Sequence, residues 1–261
     1  MQRRAIGRIE AVQRLKQKLK SMDSLRPLLK VVNVIRDMPR LVGIKYNDIE
    51  AAYYDWKSGT ETAGRIPLDR LDIDYGSVKH GKHYQPVNAH AFRKTMRSIR
   101  IANNESVFID FGCGKGKSLL LASDFDFIRK SIGIEFSREL CICAERNASR
   151  FSRSYGRRSI IEVVHADAVN YDIPSDANIF FFYNPFDKTI MVPVLKRISR
   201  SLSDSPRPSW LIYCNPVHRE AMAEVPEFKF EREYSFLGPG RNFAVYSANP
   251  ARRHVDGDQQ P

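Results

Sequence analysis

The chain has 261 residues, 43% of them hydrophobic, and carries 42 Lys and Arg against 30 Asp and Glu for a net charge of +12. That is enough to bury a good core, as one large domain or one domain with an appendage. No run of about eighteen uninterrupted apolar residues occurs, which excludes a hydropathy-defined spanning helix, and no signal-peptide core follows the basic amino terminus, so an unexported, cytoplasmic protein is expected.

The basic balance belongs to an arm, because residues 1–40 alone hold +8 of the +12. There Ile6, Ile9, Val12, Leu15, Leu19 and Met22 recur every three or four residues between Arg8, Arg14, Lys16, Lys18 and Lys20, the pattern of a basic amphipathic helix. Ser24 can cap a second helix with Pro27 in its first turn and Leu28, Val32 and Ile35 on one face. Residues 1–45 form this arm. It can pack on the body of the protein, or give residues 1–40 a peripheral contact with a membrane or a partner protein. Nucleic acid fits less well, since no aromatic residues interleave the basic run.

Residues 46–105 form a lid and connecting segment. Over 46–90 the chain is less periodic, yet Tyr53, Tyr54, Trp56, Tyr75 and Tyr84 argue against disorder, so this stretch is expected to cover a pocket. His80, His83 and His90 lack the spacing of a metal site. Phe92 to Ile101 has helical periodicity.

Residues 106–250 are the catalytic-domain candidate, organised around Ser106 to Glu135. Val107, Phe108, Ile109 and Phe111 predict a strand, Gly112, Gly114 and Gly116 a turn, and Ser118 to Ala122 the start of a helix. Ile132 and Ile134 predict a second strand ending in Glu135, nineteen positions after Gly116, where a carboxylate can accept hydrogen bonds from a ribose diol. Two nucleoside cofactors suit such a turn. Dinucleotide sites usually read Gly-x-Gly-x-x-Gly and aim a helix at a pyrophosphate, whereas here Gly-x-Gly-x-Gly follows Asp110, and an acid suits a cationic ligand.

Further on, Ser137 caps a helix with Leu140, Ala144 and Phe151 on its apolar face, and Ser159 to His165 reads as a third strand followed by Asp167. Asn178 to Tyr183 is an unbroken apolar run, as in a parallel strand covered on both faces, and ends in Asn184-Pro185-Phe186. Asp187 to Leu202 suits a helix in which Pro193 marks either a kink or the true first turn. Ser209 to Cys214 is a fifth strand, ending in Asn215-Pro216, and Lys229 to Phe236 with Phe243 to Ser247 forms an antiparallel pair joined at Leu237 to Gly240. Residues 251–261 read as a disordered tail. Cys113, Cys141, Cys143 and Cys214 show no zinc spacing, and disulfides are not expected in the cytosol.

The segments Thr62 to Leu68, His80 to Pro86, Asp110 to Ala122, Ile132 to Leu140, Tyr183 to Phe186 and Trp210 to Pro216 resemble a bacterial family of class I S-adenosylmethionine-dependent methyltransferases whose substrates are mostly unknown. A weaker similarity joins the glycine turn and its Leu-rich helix to the non-SET protein-lysine methyltransferases. The resemblance implies an α/β, Rossmann-like fold: a seven-stranded, mostly parallel sheet with an antiparallel last strand, extended here by the helical arm. It implies S-adenosylmethionine as cofactor, held by Tyr84, Pro86, Asp110, Gly112, Gly114, Gly116, Glu135 and Asp167, with Asp110 near the amino-acid end and Asp167 near the adenine. Asn184, Pro185 and Phe186 resemble the acceptor motif of amino-directed members, with one proline missing: the carboxamide would accept from a substrate amine and the aromatic would stack beside it. No metal is required. The methyl acceptor is unknown, with a protein nitrogen favoured over a small molecule or glycan, and a non-catalytic cofactor-binding assembly protein is the reading from another class. His83, Tyr84 and Tyr213 are unranked candidates for a general base.

Overall fold

The computed structural model describes residues 45–67, 69, 81–101, 105–155, 159–236 and 242–250. The arm over residues 1–40, Tyr75, His80, the turn at 237–240 and the tail over 251–261 lie outside them.

In chain order the elements are α1 (45–58), α2 (Ala89–Met96), β1 (Ser106–Phe111), α3 (Lys117–Ala122), β2 (Ile128–Glu135), α4 (Arg138–Tyr155), β3 (Ile160–His165), β4 (Ala177–Tyr183), α5 (Lys188–Asp204), β5 (Ser209–Cys214), a 3-10 turn (Arg219–Glu224), β6 (Lys229–Ser235) and β7 (Asn242–Ala248). The seven strands make one sheet in the order β3-β2-β1-β4-β5-β7-β6. Pairings among β1 to β5 are parallel, and β7 runs antiparallel to both β5 and β6. The fold is Rossmann-like, and the final strand is inserted beside the fifth as expected.

Helices cover both faces of the sheet, which is why β1 and β4 are buried along their length without alternation. On one face α5 and the 3-10 turn pack against Phe180, Phe182, Leu211 and Tyr213. On the other α2, α3 and α4 pack against Phe108, Phe181 and Ile212. Phe92 of α2 meets Phe108 and Phe181 edge-on, at centroid distances of 6.0 and 5.3 Å. Burying each such ring contributes about 2–3 kcal/mol. At the sheet's edge β3 is only partly covered and Ile160 is exposed.

Four elements differ from their predicted extents. The segment read as irregular contains α1, whose buried Ala51, Tyr54 and Ser58 face the body while Ile49, Tyr53 and Trp56 are exposed. Large apolar side chains on both faces hide its 3.6-residue period. Helix α2 begins at Ala89, before Phe92, because the Asn88 side chain caps it by accepting from the Ala91 N–H at 3.0 Å, and it ends at Met96 instead of running to Ile101. Strand β2 starts at Ile128 rather than Ile132: Arg129 and Lys130 break the apolar run, but Lys130 pairs with Glu162 of β3. Asp187 caps α5 through the Thr189 N–H, so Pro193 lies inside the helix and not in its first turn.

Candidate active site

The order β2-β1-β4 reverses the direction of chain progress at β1, and a crevice opens at the carboxyl ends of the strands flanking such a switch point. There lies a cleft walled by residues 82–87, Asp110, Gly112 to Gly114, Lys117, Glu135, Tyr183 to Pro185 and Asn215, among others.

Its floor is the turn from β1 into α3. Gly112, Gly114 and Gly116 all have positive φ, at 84°, 55° and 82°. At Gly114 the second reason for glycine is contact: a Cβ there would sit 2.3 Å from the Tyr84 ring. A Cβ at Gly112 would meet Pro185 at 2.5 Å, so the turn also presses against the end of β4.

Two carboxylates border this turn. Asp110 sits near the end of β1 on the face towards α3 and accepts a hydrogen bond from the Ser118 hydroxyl on Oδ2, while its Oδ1 is buried without a partner. Burial, with the nearby Glu135 charge adding to it and Ser118 opposing it, pushes its pKa up to about 7. Glu135 ends β2 and accepts from the Gly114 N–H at 2.8 Å and the Ser137 N–H at 3.0 Å. Burial raises its pKa, against those backbone donors. A carboxylate has about four acceptor positions, so Glu135 keeps capacity for a ligand.

The lid segment is fastened to this floor. The Asp55 carboxylate at the end of α1 accepts from the N–H and hydroxyl of Thr62, the Thr60 hydroxyl and the Ala63 N–H, at 2.6 to 2.9 Å. Lys115 of the glycine turn donates to the Ala63 carbonyl at 2.8 Å. Tyr84 is paired with Ile66, and its hydroxyl donates to the Thr62 carbonyl. The next stretch reaches the opposite wall, where the Lys82 N–H donates to the Pro185 carbonyl at 3.0 Å and Gln85 donates to the Tyr183 hydroxyl at 2.9 Å.

At that wall β4 and β5 end alike. Asn184 and Asn215, each followed by proline, hold positive φ of 41° and 52°. Both line the cleft, and the Asn184 Oδ1 is buried without a hydrogen-bond partner.

Of the residues predicted as site residues, Tyr84, Pro86, Asp110, Gly112, Gly114, Glu135, Asn184 and Pro185 line the cleft. Gly116 shapes the turn beneath it, facing Ala144. Asp167 and Phe186 line a small adjoining cavity that shares Gly112, Phe136 and Pro185 with the cleft. Asp167 accepts from the Val169 N–H at 3.0 Å, and the Phe186 ring meets Phe182 edge-on in the core. Phe186 therefore does not stack in the main cleft, where a substrate partner was expected.

Among the three candidate bases, His83 lines the cleft. The Tyr84 hydroxyl is committed as a donor, and burial holds its pKa well above the ordinary value of 10.0. Tyr213 is buried in the core, accepts from the His218 N–H, and has its pKa pushed up to about 12 by burial. Sequence reasoning missed Asn215 and Lys117. The repeated Asn-Pro at two strand ends was the available signal for the first; nothing in the sequence marks Lys117, whose ammonium bonds Glu50 of α1 at 3.0 Å.

The fold and cleft define an open α/β protein with a cleft at its switch point. No protein-family model and no curated protein matches the sequence. Similar solved structures include geranyl diphosphate C-methyltransferase from Streptomyces coelicolor A3(2), in complex with Mg2+, geranyl diphosphate and S-adenosyl-L-homocysteine, at 14% identity and TM-score 0.48 over 78% of this chain and 97% of that one. A SAM-dependent methyltransferase from Aquifex aeolicus is similar at 13% identity and TM-score 0.44, over 60% and 88% of the two chains. A TehB-like SAM-dependent methyltransferase from Corynebacterium glutamicum is similar at 15% identity and TM-score 0.42, over 63% and 89%.

Proposed function

We propose that the protein is an S-adenosylmethionine-dependent methyltransferase acting on a nitrogen of a protein side chain by direct displacement. The observation that carries this reading is the Asp110 Oδ1, a buried acceptor without a partner beside a glycine turn. A desolvated acid there calls for a cationic or hydrogen-donating ligand. A pyrophosphate over the glycine turn would meet Asp110 as like charge, which disfavours a dinucleotide, whereas Glu135 suits the ribose of either cofactor. The ammonium of Lys117 does not reverse that balance, because Glu50 already pairs with it.

The residues fit the cofactor as follows. Asp110 would face its cationic amino-acid end, the Gly112 and Gly114 backbone would pass beneath it, and Glu135 would take the ribose diol. Tyr84 and Pro86 would close over it from the lid, and Asp167 in the adjoining cavity would lie towards the adenine. When bound, S-adenosylmethionine would supply a sulfonium-activated methyl, for which an acceptor lone pair would exchange a new N–C bond for the C–S bond, the electron pair going to sulfur and the extra proton on nitrogen to solvent. The protein's share is positioning and exclusion of water. Asn184 would orient the acceptor by taking an N–H on its unpartnered Oδ1, leaving the lone pair aimed at the methyl. That acceptor suits nitrogen better than a hydroxyl, which would need a base to remove its proton.

Calorimetry with S-adenosylmethionine and with NAD is expected to give binding of the first alone; binding of NAD alone would overturn the reading. Incubation with methyl-labelled cofactor and fractionated lysate is expected to label protein, and to lose that label with Asn184→Ala. Label in small-molecule fractions only would replace the protein acceptor.

A further inference from the structure

We infer that Asn215 is a second acceptor-binding residue, forming with Asn184 a pair of carboxamides that grips two N–H groups of one primary amine. The inference rests on the proposed methyltransferase reading and names its acceptor class more narrowly.

Strands β4 and β5 are parallel, with Tyr183 in register with Cys214. Asn184 and Asn215 therefore leave neighbouring strands side by side, roughly 5 Å apart by the ordinary strand spacing. Both are the residue before a proline, which favours extended backbone, and both instead hold positive φ. A left-handed residue before proline stores strain, and Asn tolerates that region better than other side chains except glycine. Such strain persists only where the surroundings hold it, and here they do. The Asn215 N–H donates to the Asn242 carbonyl at 2.7 Å and its carbonyl accepts from the Val217 N–H at 2.8 Å, which fixes the bend after β5. The bend after β4 is held by the Lys82 bond to Pro185 and by the pairing of Gly81 with Phe186. Two separately secured bends thus deliver two identical side chains to one wall of the cleft.

The chemistry of that wall selects the ligand. Asn184 brings a buried acceptor oxygen without a partner, and no hydrogen bond within the described residues engages the Asn215 side chain. Two carboxamides on neighbouring strand ends, each turning its oxygen to the cleft, would match a nitrogen with two N–H groups and leave its lone pair free of both. A secondary amine satisfies one oxygen and leaves the other bare, which costs affinity. The acids of the cleft, Asp110 and Glu135, stand on its cofactor floor, so this wall offers acceptors without a negative charge and leaves the amine free to be neutral.

The test uses sinefungin, in which a carbon-bound primary amine replaces the S-methyl group, and S-adenosylhomocysteine, which lacks any group there. Affinities of the full chain for both are measured by calorimetry. Asn215→Gly removes the carboxamide while relaxing the positive φ, and Asn215→Asp keeps an acceptor oxygen. The wild type is expected to prefer sinefungin. Asn215→Gly should lose about tenfold of that preference with S-adenosylhomocysteine affinity unchanged, and Asn215→Asp should retain it. An unchanged preference in Asn215→Gly, with S-adenosylhomocysteine still bound, would remove Asn215 from the acceptor site and leave the methyltransferase reading intact. Failure of the wild type to bind either compound would overturn that reading and this inference together.

Discussion

At Gly114 two costs of a side chain coincide, and a comparison within the same chain separates them. Gly59 also has positive φ, at 68°, but a Cβ there would meet nothing within 4 Å. Gly59→Ala should therefore cost only the left-handed strain, about 1 kcal/mol, and leave cofactor affinity alone. Gly114→Ala adds a methyl 2.3 Å from the Tyr84 ring, which is buried and tied to Thr62. We expect a loss of about 3 kcal/mol, from strain plus overpacking, together with a tenfold or greater fall in S-adenosylmethionine affinity as the lid is pushed off the turn. Denaturant midpoints and titrations of both variants measure this, and equal losses would refute the role given to the Tyr84 contact. The glycines were legible because few residue types can occupy such a turn, and Asp110 because an acid stands out in the apolar strand that leads into it. Asn215 was not, since an Asn-Pro at a strand end has the same sequence whether its side chain meets a ligand or solvent.

Between elements, the decisive contact is the one that joins the lid to the floor. Lys117, the first residue of α3, is 2% exposed and pairs with Glu50 of α1, which is 16% exposed. The second Glu50 oxygen accepts from the Ala89 N–H at the start of α2, so one carboxylate ties three helices. Burial lowers the Lys117 pKa, and the charge and hydrogen bond of Glu50 oppose that shift. Removing one member of such a pair leaves a desolvated charge, whereas removing both need not. Glu50→Ala should cost about 3 kcal/mol in urea unfolding, and Glu50→Ala with Lys117→Met should recover at least half of that loss. Simple additivity of the two substitutions would mean that the pair is not coupled. This contact explains why α1 escaped sequence reading: its inward face carries Glu50 and Ser58 beside Ala51 and Tyr54, while Ile49, Tyr53 and Trp56 point outward. The central strands β4 and β5 were easier to read, because burial on both sides leaves a nearly continuous apolar run, whereas Arg129 and Lys130 obscured the start of β2.

For the molecule as a whole, the individual strands were legible as apolar runs and their parallel order with an antiparallel last strand was what the family resemblance implied, while the meeting of lid, turn and strand ends depends on contacts between residues far apart in sequence. That convergence places two buried acids at the switch point, and their ionisation links folding to ligand binding. Asp110 has its pKa raised from 3.8 to about 7, and Glu135 is raised too, each chiefly by burial. An acid with a folded pKa above its unfolded value binds more protons in the folded state between the two values. The stability it favours is therefore present at low pH and declines as pH rises from about 4 to about 7. Asp110→Asn should flatten part of that decline in unfolding measured without ligand. A cation beside Asp110 reverses the preference by favouring the ionised form. Wild-type affinity for S-adenosylmethionine should thus rise between pH 5.5 and pH 7.5, approaching tenfold per pH unit where the free Asp110 is protonated, while Asp110→Asn should bind more weakly with less dependence on pH. Calorimetry at several pH values for both proteins gives the two slopes, and parallel slopes would show that the Asp110 carboxylate does not face the cationic end of the cofactor.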